Sequence, residues 1–125
     1  MNYTLISTGN RSFLACSPDG PDSRVQSERD ALDLVAACGE NGTENLLLPA
    51  GCLNEDFFRL STGLAGAILL KFSNYHIRCA LVLSSEQAHR GRFAELVLEA
   101  NRRNRELHFF TRSAEAERWL IDEGG

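Results

Sequence analysis

The chain has 125 residues, 43% of them hydrophobic and 24% charged, the size and make-up of one ordinary globular domain, which excludes a disordered or fibrous chain. Its formal net charge of -4 repels phosphate backbones and anionic bilayers, so neither nucleic acid nor a membrane is an expected partner. The longest run of apolar residues and glycine, Leu64 to Leu70, is far short of the ~20 residues of a membrane span, and the opening Met1-Asn2-Tyr3-Thr4 has no basic segment leading into an apolar one, so a cytoplasmic protein is expected.

Two short runs rich in β-branched and aromatic types, Tyr3 to Ser7 and Arg11 to Cys16, flank Thr8-Gly9-Asn10 and read as a hairpin. Ser17 to Gln26, with Pro18, Asp19, Gly20, Pro21 and Asp22, reads as an exposed loop. Ser27 suits a helix cap, Ala31, Leu34, Val35 and Cys38 form one apolar stripe, and Gly39 offers a left-handed stop. Asn45 to Pro49 is a continuous apolar run of the kind found in strands covered on both faces. Asn54-Glu55-Asp56 starts a helical turn holding Phe57 and Phe58, and Ser61 or Thr62 caps a second helix whose stripe is Ala65, Ile68, Leu69 and Phe72.

Leu64 and Leu70 lie outside that stripe, so the second helix is apolar nearly all round, which implies deep burial or a partner. An interior strand is expected from His76 to Leu83 and a third helix from about Gln87 to Arg103, where Phe93, Leu96, Val97 and Ala100 face inward and Glu99 can pair with Arg103. Glu106 to Thr111 reads as the last strand, and Ser113 caps a final helix bearing Ala116, Trp119 and Leu120. The order β-β-α-β-α-β-α-β-α demands right-handed crossovers, hence an α/β fold with a mostly parallel sheet and an antiparallel hairpin at its start.

The stretch Asp56-Phe57-Phe58-Arg59-Leu60-Ser61-Thr62-Gly63-Leu64-Ala65-Gly66, followed by Ile68-Leu69 and Lys71-Phe72-Ser73-Asn74-Tyr75, resembles the signature of a bacterial domain-of-unknown-function family, family 4180. Arg29 to Leu34 and Cys38 to Gly42 fit the same family, so the resemblance covers most of the chain. More distantly, the strand Leu46 to Leu48, the Ser61-to-Gly66 segment opening a helix, and Phe110 to Glu115 before the last helix are similar to the layout of STAS, or anti-sigma-factor antagonist, domains. That resemblance implies a STAS-like fold and a regulatory role, with a phosphorylated serine at the helix start in its signalling members. Leu60 stands here where those members have aspartate, and the preceding strand ends in Pro49-Ala50 rather than in aspartate.

Several constellations have both a plain and a functional reading. Ser61 and Thr62 suit capping, and a phosphate on either would face the positive end of a helix dipole. Gly63 and Gly66 suit close packing of the helix on the sheet, or the approach of an anion to backbone amides. Phe57 and Phe58, beside Glu55 and Asp56, suit core packing or the roof of an apolar pocket near the strands' carboxyl ends. Arg90, Arg92, Arg102, Arg103 and Arg105, offset by Glu95, Glu99 and Glu106, suit a solvated face or the docking of an acidic protein or a nucleotide.

Cys16, Cys38, Cys52 and Cys79 form no C-x-x-C pair and are expected as small buried hydrophobes, with Cys52, on an expected loop, the candidate for a reactive thiol. His76, His89 and His108 are scattered over three elements, so no metal, cofactor or catalytic triad is expected. The sequence therefore points to a non-enzymatic regulatory or protein-interaction module, with Leu64, Ala67 and Leu70 as a candidate surface for a protein partner or a homodimer. The alternative is a lipid- or nucleotide-binding protein with its pocket near Phe57, Phe58 and Ser61 to Gly66.

Overall fold

The computed structural model describes residues 2–18, 24–103 and 106–122. Asn2–Thr8 (β1) and Arg11–Ser17 (β2) pair antiparallel, from Asn2 opposite Ser17 to Thr8 opposite Arg11. Gly9 takes φ 61° at the first position of the two-residue turn, where a side chain would be strained. Asn45–Pro49 (β3), Arg78–Val82 (β4) and Leu107–Phe110 (β5) follow as parallel neighbours, in the order β1-β2-β3-β4-β5. The expected α/β class, with a hairpin leading into a parallel sheet, is therefore the observed one.

Each parallel connection steps one strand further in the same direction. Right-handed crossovers of that kind put their helices on one face of the sheet. Glu28–Glu40 (α1), Leu64–Asn74 (α2) and Gly91–Arg103 (α4) share one core with Leu14, Leu46, Leu48, Cys79, Leu81, Leu107 and Phe109. Ser113–Asp122 (α5) covers the opposite face, where Ala116 and Leu120 meet Phe13, Leu47 and Ala80. Phe72 and Ile68 of α2 are fully buried, as the apolar stripe predicts.

Four local features differ from the sequence expectation. α1 runs past Gly39 and stops at Asn41, whose side chain donates to the Ala37 carbonyl at 2.8 Å, and the left-handed residue is Gly42 at φ 68°. The strand expected from residue 76 starts at Arg78, because His76 sits at φ 58°. The helix expected from Gln87 to Arg103 is two helices, Ser85–Ala88 (α3) and α4. Ser84 and Gln87 close a capping box around α3, with Gln87 N–H donating to Ser84 Oγ at 3.0 Å and Ser84 N–H to Gln87 Oε1 at 2.9 Å, and Gly91 turns the chain at φ 49°.

The fourth feature is α2, which starts at Leu64, with Gly63 in its cap position at φ 76° and no side chain capping it. Neither Ser61 nor Thr62 is the helix cap. Residues 19–23 of the expected 17–26 loop, and Arg105 of the basic run, lie outside the described residues, as does the Arg103 side chain of the Glu99 pair.

At the far edge of the sheet, Asn101 of α4 acts as a substitute strand. Its Nδ2 donates to the Phe109 carbonyl at 3.1 Å, and its Oδ1 accepts from Phe109 N–H at 2.8 Å. Both edge groups are thereby satisfied in a part-buried setting where losing a partner is costly. Asn101→Ala is expected to destabilise the fold by about 1–3 kcal/mol, measured by urea unfolding, with faster hydrogen exchange at the Phe109 amide.

Candidate functional site at the carboxyl ends of the strands

The carboxyl ends of β2, β3 and β4 lie side by side, and the segments that leave them gather into one surface. After β2, Val25 forms a parallel bridge with Leu53; its N–H donates to the Cys52 carbonyl at 2.6 Å, and its carbonyl accepts from Asn54 N–H at 3.1 Å. This fastens the residue beside it, Arg24. After β3, Ala50–Cys52 makes a short 3-10 turn in which Gly51 faces Pro18, and a Cβ on Gly51 would come within 2.8 Å of the proline's Cβ. Asn54 Oδ1 accepts from Asp56 N–H at 2.9 Å and starts the 3-10 turn Glu55–Phe58, as expected from the sequence.

Between these segments lies a cleft of about 630 Å³, bounded by Arg24, Leu53, Phe58, Arg59, Arg90 and Phe93 and including Gly51, Glu55 and Gln87. A second depression of about 410 Å³ shares Phe58, Arg90 and Phe93 and adds Ser61 and Arg92. Phe58 is half-buried and held on two sides, 5.5 Å from the Phe57 ring at 73° and 5.2 Å from the Phe93 ring. Phe57 itself is fully buried. It belongs to the core, so the expected pocket wall of two phenylalanines is Phe58 alone on that side, with Phe93 from α4.

Of the Ser61-to-Gly66 segment, Ser61 lines the second depression beside Phe58. Thr62 Oγ1 lies 2.7 Å from the Asp56 carbonyl and 2.8 Å from that of Arg59, and accepts from Leu64 N–H at 3.2 Å. Thr62 therefore ties the turn Leu60–Thr62 together. Ser61 is exposed and makes no hydrogen bond among the described residues. Gly63 is needed for its positive φ. Gly66 is exposed, and a Cβ there would meet nothing within 4 Å, so it does not serve close packing on the sheet. On the rest of α2, Leu64 and Ala67 are half-buried and Leu70 is 57% exposed.

Cys52 is fully buried in its 3-10 turn, as expected of a small buried hydrophobe and unlike the reactive loop thiol of the alternative. The other three cysteines are buried as expected. Burial in apolar surroundings pushes the Cys16 thiol up to about 12 and the Cys38 thiol up to about 11, and raises Cys79 well above its ordinary value. The histidines serve separate neighbourhoods. His76 Nδ1 is 3.7 Å from Glu106, His89 Nδ1 is 2.7 Å from the Ser85 carbonyl, and His108 stacks on Phe110 and Trp119 at 4.6 and 5.5 Å. Among the described residues, no three His, Cys, Asp or Glu side chains are grouped to hold a metal, and no helix is long and apolar enough to cross a membrane.

Sequence reasoning missed Arg24, Arg59 and Gln87, and placed Arg90 and Arg92 on a helix face rather than at a cleft. Arg24, Arg59 and Arg90 each follow a strand of the parallel sheet, in segments leaving its carboxyl end. That position was the available signal.

A family model described as a domain of unknown function, DUF4180, matches residues 8–120, and the chain belongs to that family. No curated protein and no solved structure matches it.

Two outcomes follow from this geometry. The thiols keep their protons in the fold at a pH where the unfolded chain, at the ordinary value of 9.0, loses them. Folding stability is therefore whole below about 9 and falls as pH rises toward 11 and 12, which urea midpoints taken at pH 8 and pH 10.5 will show. Gly51→Ala forces Pro18 away and is expected to cost about 1–3 kcal/mol, read as a lowered thermal midpoint.

Proposed function

We propose that the chain is a non-enzymatic binding module that meets a protein, a second copy or a regulatory partner, over Leu60 to Gly63 and the outward side of α2. The observation that carries this reading is Leu70, 57% exposed on a helix whose one charged residue is Lys71, with Leu60 also 37% exposed. Leu64 and Ala67, half-buried, continue the apolar side. A leucine left in water forgoes about 1.5–3 kcal/mol of burial that a partner surface would recover.

The regulatory part of the reading rests on the likeness to anti-sigma-factor antagonist domains and on the difference between two adjacent hydroxyls. Thr62 is engaged by its own turn, whereas Ser61 is exposed and lines a depression with Arg90 and Arg92. A phosphoryl group on Ser61 would meet two guanidinium groups; one on Thr62 would break the turn. The non-enzymatic part rests on the full burial of Cys52, the candidate reactive thiol, and on histidines engaged in separate places.

Sedimentation equilibrium of the chain beside Leu70→Lys tests the self-association arm. A concentration-dependent dimer that the variant abolishes is expected, while an unchanged dimer moves the interface away from α2. Ser61→Glu is expected to leave the unfolding free energy within about 0.5 kcal/mol of the parent, and Thr62→Glu to lower it by about 1–2 kcal/mol, both read by urea unfolding, since only the second hydroxyl fastens the turn.

A second reading, small-molecule binding, is favoured by the cleft beside Phe58. Its volume falls within the ~300–1,000 Å³ of ligand pockets, and it occupies the place where open α/β sheets bind ligands.

A further inference from the structure

We propose that this cleft is an organic-phosphate site, taking a phosphoryl group on a nucleoside body, with Arg24, Arg59 and Arg90 around the phosphoryl and Phe58 against the body. The proposal rests on the second reading above, that the cleft takes a small molecule. It begins from charge: three arginines and one glutamate line the cleft, a local balance of +2 on a chain of net charge -4. Positive charge gathered in a concave, partly apolar site attracts and retains an anion against the field of the whole molecule.

Two of the three arginines are also unspent. Among the described residues, Arg24 Nε is shut off from solvent and has no hydrogen-bond partner, and the Arg59 side chain makes no hydrogen bond or ion pair. A buried guanidinium N–H without an acceptor is costly, and the planar fork of arginine matches two phosphate oxygens at once. Arg24 is held in place by the Val25–Leu53 bridge next to it, so little ordering is lost when an anion arrives. Arg90 is paired with Glu86, but both side chains are largely exposed, 67% and 76%, and such a pair is readily exchanged for a better acceptor.

The body of the ligand follows from the remaining lining. Half-buried Phe58 presents ring surface, backed by the buried Phe93 and Leu53, and Ala50 adds an apolar contact, a wall too small for an acyl chain. Glu55 repels a polyanion and accepts from hydroxyl or amine donors, while the Gln87 amide nitrogen is left to donate, because its oxygen is taken by Ser84 N–H. One phosphoryl group, a flat apolar ring and hydrogen-bond donors describe a nucleoside monophosphate better than a lipid or a bare phosphate.

Calorimetric titration at low salt with AMP, adenosine and inorganic phosphate tests this. AMP is expected to bind more tightly than either half, Arg24→Gln and Arg59→Gln to weaken it by about tenfold each, the ratio that 1.4 kcal/mol makes, and Phe58→Ala to weaken AMP while sparing phosphate. Glu86→Gln, which releases Arg90, is expected to tighten AMP, a gain that no loss of folding can imitate. Adenosine binding as tightly as AMP would overturn the phosphate assignment and leave the cleft as a ligand site. Silence from all three at about 10 mM, well above the ~1 mM that corresponds to 4.1 kcal/mol, would overturn both. AMP binding indifferent to Arg24 and Arg59 would place the nucleotide elsewhere and overturn the proposal.

Discussion

Two neighbouring strands buried on both faces set the terms for the rest of this molecule. Leu46, Leu47 and Leu48 of β3, and Cys79, Ala80 and Leu81 of β4, are buried without a break, so both sides of the sheet's centre must be covered. Three crossovers that step in one direction deliver three helices to one side. The other side depends on α5 alone, which meets it with the small, fully buried Ala116 beside Ala80 and with Leu120. Trp119 extends that cover, in tilted ring contact with Phe110 and His108 and overlaid by Arg78 at 3.9 Å from the ring centroid. One helix cannot reach across five strands, and β1 is left exposed along nearly all its length.

The same stepping topology makes the cleft. Parallel strands all end at one side of the sheet, so the segments leaving β2, β3 and β4 are forced into the same neighbourhood, where side chains distant in sequence meet. Arg24, Arg59 and Arg90 come from three such segments, and what holds them is ordinary: a one-pair bridge at Val25, a glycine that admits Pro18, an asparagine cap at residue 54 and a capping box at Ser84. Phe58 is linked through Phe93 to Phe109, whose ring lies 5.8 Å from that of Phe93, so the cleft's apolar wall is continuous with the core. The rim is thereby stiffer than a run of short turns would be alone.

The two adjacent hydroxyls, Ser61 and Thr62, show why residue type underdetermines role. Both fit a helix start by chemistry, yet the helix begins after a left-handed glycine, and neither caps it. Thr62 turns back to the Asp56 and Arg59 carbonyls because the intervening 3-10 turn brings them within reach, and Ser61 is left facing the depression that Arg90 and Arg92 share. A similar correction applies to Phe57 and Phe58. Consecutive residues on a tight turn point in different directions, so one is core and the other surface.

What the sequence by itself determined is the part governed by local pattern and burial. The α/β class, the opening hairpin, the parallel order and the inward stripes of α1, α2 and α5 follow from hydrophobic spacing, since a 3.6-residue or continuous apolar period can be buried in few ways. Ends of elements were less legible: Gly39 and Gly42 are equally able to take positive φ, and an apolar rhythm that runs evenly through α4 conceals a break made by a capping box and Gly91. Only the tertiary structure decided which charges meet. The arginine cleft, the depth of Cys52 and Phe57, the substitute strand made by Asn101 and the freedom of Ser61 all depend on contacts between segments far apart in the chain, and no local periodicity encodes them.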